Sequence, residues 1–291
     1  MSHRLGSWTP PDDSDTALAL RGVHAGYPGT PLVLDCVNLT VGIGRRIAIL
    51  GANGSGKTTL LRVLAGGHEP TEGSVISGGE VLRHHRRGLT AHRQHVQLVM
   101  QDPDDQLFSA DVRSDIAYGP TNLGLGPGEI EARVDEALAV LSLGDLADRP
   151  VHRLSFGQRK RVAVAGALAM HPTVLLLDEP TAGLDPAGAE EMLAAVAALE
   201  AHGTTVVLST HDVDLAWRWA DEVALVVDRV VHQGEATDAL TDADLVRGAR
   251  LRPPWSVELL RELGVDPAEA GWPRTPGQVA AVLAARVPDA R

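Results

Sequence analysis

The chain has 291 residues, 44% hydrophobic and 22% charged, with a net charge of −12. That length buries a substantial core and fits one large domain, or one with an appendage. The acidic balance argues against general nucleic-acid binding, which needs cations to neutralise phosphates, and no apolar stretch approaches the ~18 residues of a membrane span.

Residues 1–16, opening MSHRLGSWTPPDDSD, lack the apolar h-region of a signal peptide and read as a flexible tail. From about 18 to 50, short apolar runs between Gly and Pro turns (ALALRGV, VNLTV, RIAIL) predict several strands, and VQLVM at 96–100 predicts another. Cys36 is the only cysteine, so no intrachain disulfide is expected and a reducing compartment suits the chain. Residues 129–142 place Ile130, Val134, Leu138 and Leu141 on one helical face, and 156–170 are again helical. TVLLL at 173–177 is wholly apolar, as in a strand buried on both faces of a parallel sheet. A helix over 187–201 stops at Gly203; TTVVLST is a second buried strand; Asp212 caps a helix carrying Leu215 and Trp219; EVALVV is a further strand. This alternation predicts an α/β fold with a mainly parallel sheet. The helix-rich stretch of about 102–158 reads as an inserted helical subdomain, 17–245 as the main domain, and 246–291 as a small C-terminal helical appendage. Trp217 and Trp219 read as packing; Trp255 reads either as an anchor at a subunit contact or as packing on the appendage's own core.

GANGSGKT at 51–58 fits G-x-x-x-x-G-K-[ST] and lies between strand RIAIL and the helical TTLLRVLA, the context that makes the pattern a P-loop. Gly51, Gly54 and Gly56 let the backbone turn tightly and aim N–H groups at phosphate oxygens, aided by the helix N-terminus. Lys57 supplies a cation for the β- and γ-phosphates, and it is one of only two lysines, with Lys160, among 26 basic residues. The Thr58 hydroxyl suits Mg²⁺. Ala52, Asn53, Ser55 and Thr59 complete the nucleotide-binding set. VLLLDEP at 174–180 ends a buried strand in two carboxylates. Asp178 suits Mg²⁺ held through water, and Glu179 suits proton abstraction from an attacking water.

Between these lies LSFGQRKR at 154–161, and here the sequence resembles ATP-binding-cassette ATPases over about residues 18–240. The resemblance rests on six ordered features around the P-loop: Tyr27, Gln101, LSFGQ, VLLLDE, GLD ending at Asp185, and His211 in STHD. It implies a P-loop cassette fold with an antiparallel β portion beside the parallel sheet, ATP as substrate and Mg²⁺ as cofactor. Tyr27 would stack on adenine, a core tyrosine being the alternative. Gln101 would contact Mg²⁺ or the attacking water, and His211 the γ-phosphate. Ser155, Gly157 and Gln158 would close on ATP held by a second subunit, with Asp185 bridging across. A head-to-tail dimer, a homodimer by preference, follows, since one chain cannot use its P-loop and its signature on the same nucleotide. Phe156 departs from the commonest signature, which has glycine there.

QDPDDQLF at 101–108, followed by DVRSDIAYGPTNLGL, is similar to the ATPase subunits of energy-coupling-factor importers, including cobalt-type ones. The resemblance implies a transmembrane coupling subunit, a substrate-binding membrane subunit and a peripheral position on the cytoplasmic face of the cell membrane. Cobalt is the expected cargo, with nickel or a vitamin such as biotin as alternatives. Leu107 and Phe108 then read as a docking surface, or else as an anchor to the helical subdomain. RHHRRGLTAHRQH at 83–95 holds His84, His85, His92 and His95 but no acid or cysteine to complete a metal site, and reads as a solvated basic arm. Two rival classes fit less well. A soluble cassette acting on ribosomes or DNA is disfavoured by the single cassette and acidic charge, and a small-molecule P-loop kinase has no use for LSFGQ.

Overall fold

The computed structural model describes residues 15–286. The elements follow in chain order: β1 (Thr16–Gly26), β2 (Leu32–Gly42), β3 (Ile47–Leu50), α1 (Lys57–Leu64), β4 (Glu72–Ser77), β5 (Glu80–Val81), α2 (Arg86–His95) and β6 (Val96–Val99). Next come α3 (Val112–Asn122), α4 (Pro127–Val140), α5 (Phe156–Leu168), β7 (Val174–Asp178), α6 (Pro186–Ala201), β8 (Thr205–Thr210) and α7 (Val213–Trp219). The chain continues through β9 (Glu222–Val227), β10 (Val230–Glu235), α8 (Ala236–Ala239), α9 (Ala243–Gly248), α10 (Trp255–Glu262) and α11 (Pro276–Arg286). The expected tail of 1–16 lies outside the described residues as far as 14, and β1 already begins at Thr16.

Two sheets form. A six-stranded sheet has the order β10-β9-β3-β8-β7-β6, parallel throughout except for β10, which runs antiparallel to β9. A four-stranded antiparallel sheet has the order β2-β1-β4-β5. The two meet at Gln233, whose amide receives the Thr40 N–H at 2.9 Å and donates to the Thr40 carbonyl at 2.6 Å. A side chain of β10 thereby satisfies backbone groups of β2 that a further strand would otherwise pair.

Apolar residues fill both faces of the six-stranded sheet. One core holds Leu60, Leu61 and Leu64 of α1 with Leu18, Leu20, Leu39, Ile47 and Ile49. The other runs unbroken from Val134 and Leu138 of α4, Leu141 just after it and Val162 of α5 to Leu175 and Leu177 of β7 and Trp217 of α7. The helical subdomain therefore has no separate core: its apolar side is continuous with the sheet, which ties its position to the strands. Leu245, Ala249 and Val257 join that second core, whereas Leu260, Val265 and Val279 form a small cluster of their own, with Trp255 packed against it. Trp217 is fully buried, donates to the Pro273 carbonyl at 3.2 Å and meets Trp272 edge-on.

The basic arm at 83–95 is not wholly solvated. His85 caps α2 by accepting the Gly88 N–H, and the helix so formed turns His92 inward, 4% exposed, with Nε2 2.8 Å from the Leu64 carbonyl. Burial pushes the His92 imidazolium below its ordinary range.

Candidate functional site

Four adjacent parallel strands, β3, β8, β7 and β6, end along one edge of the sheet. After β3 comes the P-loop, after β8 His211, at the end of β7 Asp178 and Glu179, and after β6 Gln101. Neighbouring strands lie about 4.8 Å apart, so the sheet alone lines up the four groups that the sequence scatters over 160 positions between Gly51 and His211. A cleft of about 490 Å³ opens there, lined by Asn53, Gly54, Gly56, Lys57, Thr58, Thr59, Gln101, Asp178, Glu179, His211 and Val33. An adjoining cleft of about 370 Å³ shares Thr58, Gln101 and Asp178 and reaches Phe156 and Gly183.

The P-loop conformation requires its glycines. Gly56 has φ +110°, and a Cβ there would lie 2.9 Å from a Val33 methyl; at Gly51 it would lie 2.6 Å from Ser55 Oγ. Lys57 is 7% exposed and folds back over the loop, donating to the carbonyls of Gly51 at 2.9 Å and Ala52 at 3.3 Å, with Glu179 Oε1 at 3.5 Å. Ser55 Oγ is buried without a hydrogen-bond partner. A buried cation over a glycine turn, an unpaired hydroxyl and an uncapped helix N-terminus at Gly56 fit a bound phosphate chain.

Asp178 has both carboxylate oxygens occupied by hydroxyls. Thr58 Oγ1 donates to Oδ2 at 2.7 Å, and Ser209 Oγ donates to Oδ1 at 2.6 Å. Thr58 and Asp178 form an all-oxygen pair, the donor chemistry Mg²⁺ prefers. Glu179 is 7% exposed and has φ +47°, the left-handed region that non-glycine residues seldom occupy. Its N–H donates to Ser209 Oγ at 3.0 Å, and His211 Nδ1 lies 3.0 Å from Oε2. One carboxylate thus faces the P-loop lysine on one side and the histidine on the other.

The remaining expected residues are placed apart. Tyr27 is 39% exposed, packs tilted on His68 with centroids 4.9 Å apart, and lies 3.3 Å from Thr59 Oγ1 through its hydroxyl. Ser155 begins α5 in a capping box: its Oγ accepts the Gln158 N–H at 3.2 Å, and Gln158 Oε1 accepts the Ser155 N–H at 2.9 Å. Gly157 has room for no more than close contact with Leu184, and Asp185 caps α6 through the Gly188 N–H at 2.7 Å. Ser155, Gly157, Gln158 and Asp185 are all absent from the lining of the P-loop cleft.

Leu107 and Phe108, a pair in sequence, divide in space. Leu107 packs against the helical side of the core, whereas Phe108 is 64% exposed and meets Tyr118, itself 51% exposed, edge-on at 4.5 Å. The loop is fixed beneath them: the N–H groups of Phe108 and Ser109 donate to Asp115 Oδ1, and Asp104 pairs with Arg159 of α5 at 2.8 Å. Sequence reading missed Ser209 and gave Lys160 no role. The signal for Ser209 was a hydroxyl at the end of a buried apolar strand, where a polar group needs a partner; that for Lys160 was its rarity.

The ABC transporter family profile matches residues 34–182. The chain is 49% identical over 272 residues to the "Cobalt import ATP-binding protein CbiO" of Rhodobacter capsulatus, covering 92% of this chain and 97% of that protein. It is 41% identical over 249 residues to the "Energy-coupling factor transporter ATP-binding protein EcfA" of Methanosphaera stadtmanae, covering 85% and 90%. Among solved structures it resembles cbiO1 from Clostridium perfringens, described as part of the ABC transporter complex cbiONQ, with TM-score 0.74 and 37% identity over 85% of this chain and 99% of that one. Among the described residues no helix is long and apolar enough to cross a membrane. With these matches the chain belongs to the ABC transporter family as one of its ATP-binding subunits, an ATP hydrolase that uses Mg²⁺ and is coupled to transport.

Proposed function

We propose that this chain powers an energy-coupling-factor importer for cobalt ion from the cytoplasmic face of the membrane, working as a head-to-tail homodimer around two ATP. The observation that carries the ATPase roles is the network on the strand ends, where Lys57, Glu179 and His211 lie in contact and Thr58 and Ser209 hold Asp178. Lys57 and the P-loop N–H groups bind the phosphates. Thr58, Asp178 and Gln101 would hold Mg²⁺, which when bound neutralises developing phosphate charge. Glu179 receives the proton of the attacking water, and His211 and Lys57 fix where its carboxylate points. Tyr27, partly exposed, would stack on adenine.

The dimer is supported by the absence of Ser155, Gly157 and Gln158 from the lining of the P-loop cleft, and by the exposure of Ser155 and Asp185. The membrane partner is supported by the exposed ring of Phe108, on the loop that begins at Gln101, against the exposed Tyr118 of α3. Cobalt is supported by the name of the Rhodobacter relative. The deciding experiment co-expresses the chain with its membrane subunits, reconstitutes the complex in vesicles, and measures ATP-driven uptake of Co²⁺, Ni²⁺ and biotin. Co²⁺ uptake that stops in Glu179→Gln is expected. Uptake of Ni²⁺ or biotin alone would overturn the cargo; a chain that never enters the membrane complex would overturn the importer.

A further inference from the structure

Lys160 lies inside α5 and is 3% exposed. Its ammonium donates to the carbonyl of Glu179 at 2.8 Å and to that of Pro180 at 3.2 Å. Beneath it, at 5.4 Å, is the ring of Phe156. That ring occupies the space over Gly183, where a Cβ would come within 3.0 Å of it. The first turns of the signature helix thus grip the 179–183 segment twice, once by charge-assisted hydrogen bonds and once by an aromatic face.

A buried ammonium is costly unless its donors are used, and burial pushes this one down to about 8 against the pull of Glu179, Asp102 and Asp178. An apolar side chain of similar length would pack here without that cost. What the charge supplies is a fixed direction for two successive carbonyls, those of Glu179 and Pro180. Glu179 holds a left-handed backbone with its N–H on Ser209 and its carbonyl on Lys160. With N–H and carbonyl both held, the Glu179 backbone keeps the setting from which its carboxylate meets Lys57 and His211.

We propose that Lys160 is a positioning residue for Glu179, linking the signature helix to the backbone of the catalytic carboxylate in the same chain. Contact of Ser155–Gln158 with a nucleotide on the second subunit would then be carried to the opposite site through this link. The inference rests on the reading of Glu179 as general base and of the signature as a subunit contact.

The test is a double-mutant cycle on the purified chain, with ATPase kinetics, nucleotide affinity and melting temperature read for each variant. Lys160→Met is expected to lower kcat by roughly 10²-fold through misplacement of the base, with nucleotide affinity unchanged. Lys160→Gln, which keeps an N–H donor, should lose less. On the Glu179→Gln background, Lys160→Met should change the residual rate by no more than about twofold, because its effect passes through the missing carboxylate. A wild-type kcat in Lys160→Met beside an inactive Glu179→Gln would overturn the link alone. So would an equal loss in the Met and Gln variants carried undiminished onto Glu179→Gln. Full activity in Glu179→Gln would overturn the base assignment and the link together. Should Lys160→Met not fold, Lys160→Gln runs the same cycle.

Discussion

Helix α1 opens at Gly56 with no side-chain cap, whereas α5 opens at Ser155 inside a complete capping box. Both N-termini suit an anion, but they are finished differently. At α1 the glycine loop, the buried Lys57 and the unpaired Ser55 hydroxyl leave the end open for phosphate. At α5 the capping box satisfies the N–H groups of Ser155 and Gln158, and the Ser155 hydroxyl, which accepts from Gln158, still has its proton to give. An open end suits a nucleotide bound by the lone chain. A closed, exposed end holds its shape without ligand and can add a contact when a second subunit brings one.

The largest effect should come from the chemistry that neither helix end supplies. Glu179→Gln should keep nucleotide binding at α1, lower hydrolysis by roughly 10²–10⁴-fold and let the ATP-bound dimer accumulate, as read by ATPase assay and size-exclusion chromatography. Turnover at the wild-type rate would remove Glu179 from its role.

The two ends themselves separate in a paired experiment. Lys57→Ala should weaken ATP binding by about 10–100-fold, the worth of a hydrogen bond to a charged group. Ser155→Arg should leave that affinity nearly intact and block ATP-driven dimerisation. Calorimetric titration of both variants decides it, and an equal loss of affinity in the two would put Ser155 in the site of its own P-loop.

A smaller effect tests the loop after β6, which divides between Gln101 beside the cleft and Phe108 on the surface. Phe108→Ala should leave melting temperature and basal ATPase little changed, because the ring is exposed. It should weaken assembly with the membrane subunit by about 2 kcal/mol, read as lost co-purification. A lower melting temperature with normal co-purification would make the ring a structural anchor.

The smallest effect is in pH dependence. The folded chain holds Lys160 at about 8 against an ordinary 10.5. Between those values the unfolded chain binds the proton that the folded chain has released, so stability rises with pH across the window. Denaturant titrations from pH 7.5 to 10.5 should show the wild type gaining on Lys160→Met. Parallel curves would mean that the ammonium is not held down by burial.

Much of the site was legible because its pieces are local. The P-loop is one strand, one glycine turn and one helix start within a few residues, and the carboxylates finish a run of apolar residues too buried to belong elsewhere. Ser209 and Lys160 were not legible, since each acts on a residue 30 and 19 positions away in the chain. Nor was the division of Leu107 from Phe108: two neighbouring apolar residues look alike until Asp115 fixes the backbone that turns one inward and the other out.

The class of chemistry is written in local patterns. Glycines at forced backbone positions, a lone lysine and strand-terminal acids are local necessities for holding a nucleotide, and they hold in any packing that keeps strand, turn and helix contiguous. How those parts come together is a matter of packing. The strand order β3-β8-β7-β6 puts four distant loops on one edge, and the buried ammonium of α5 fixes the backbone of Glu179. Those relations depend on which side chains meet across the core, and burial makes a meeting of polar groups there obligatory once the strands are packed.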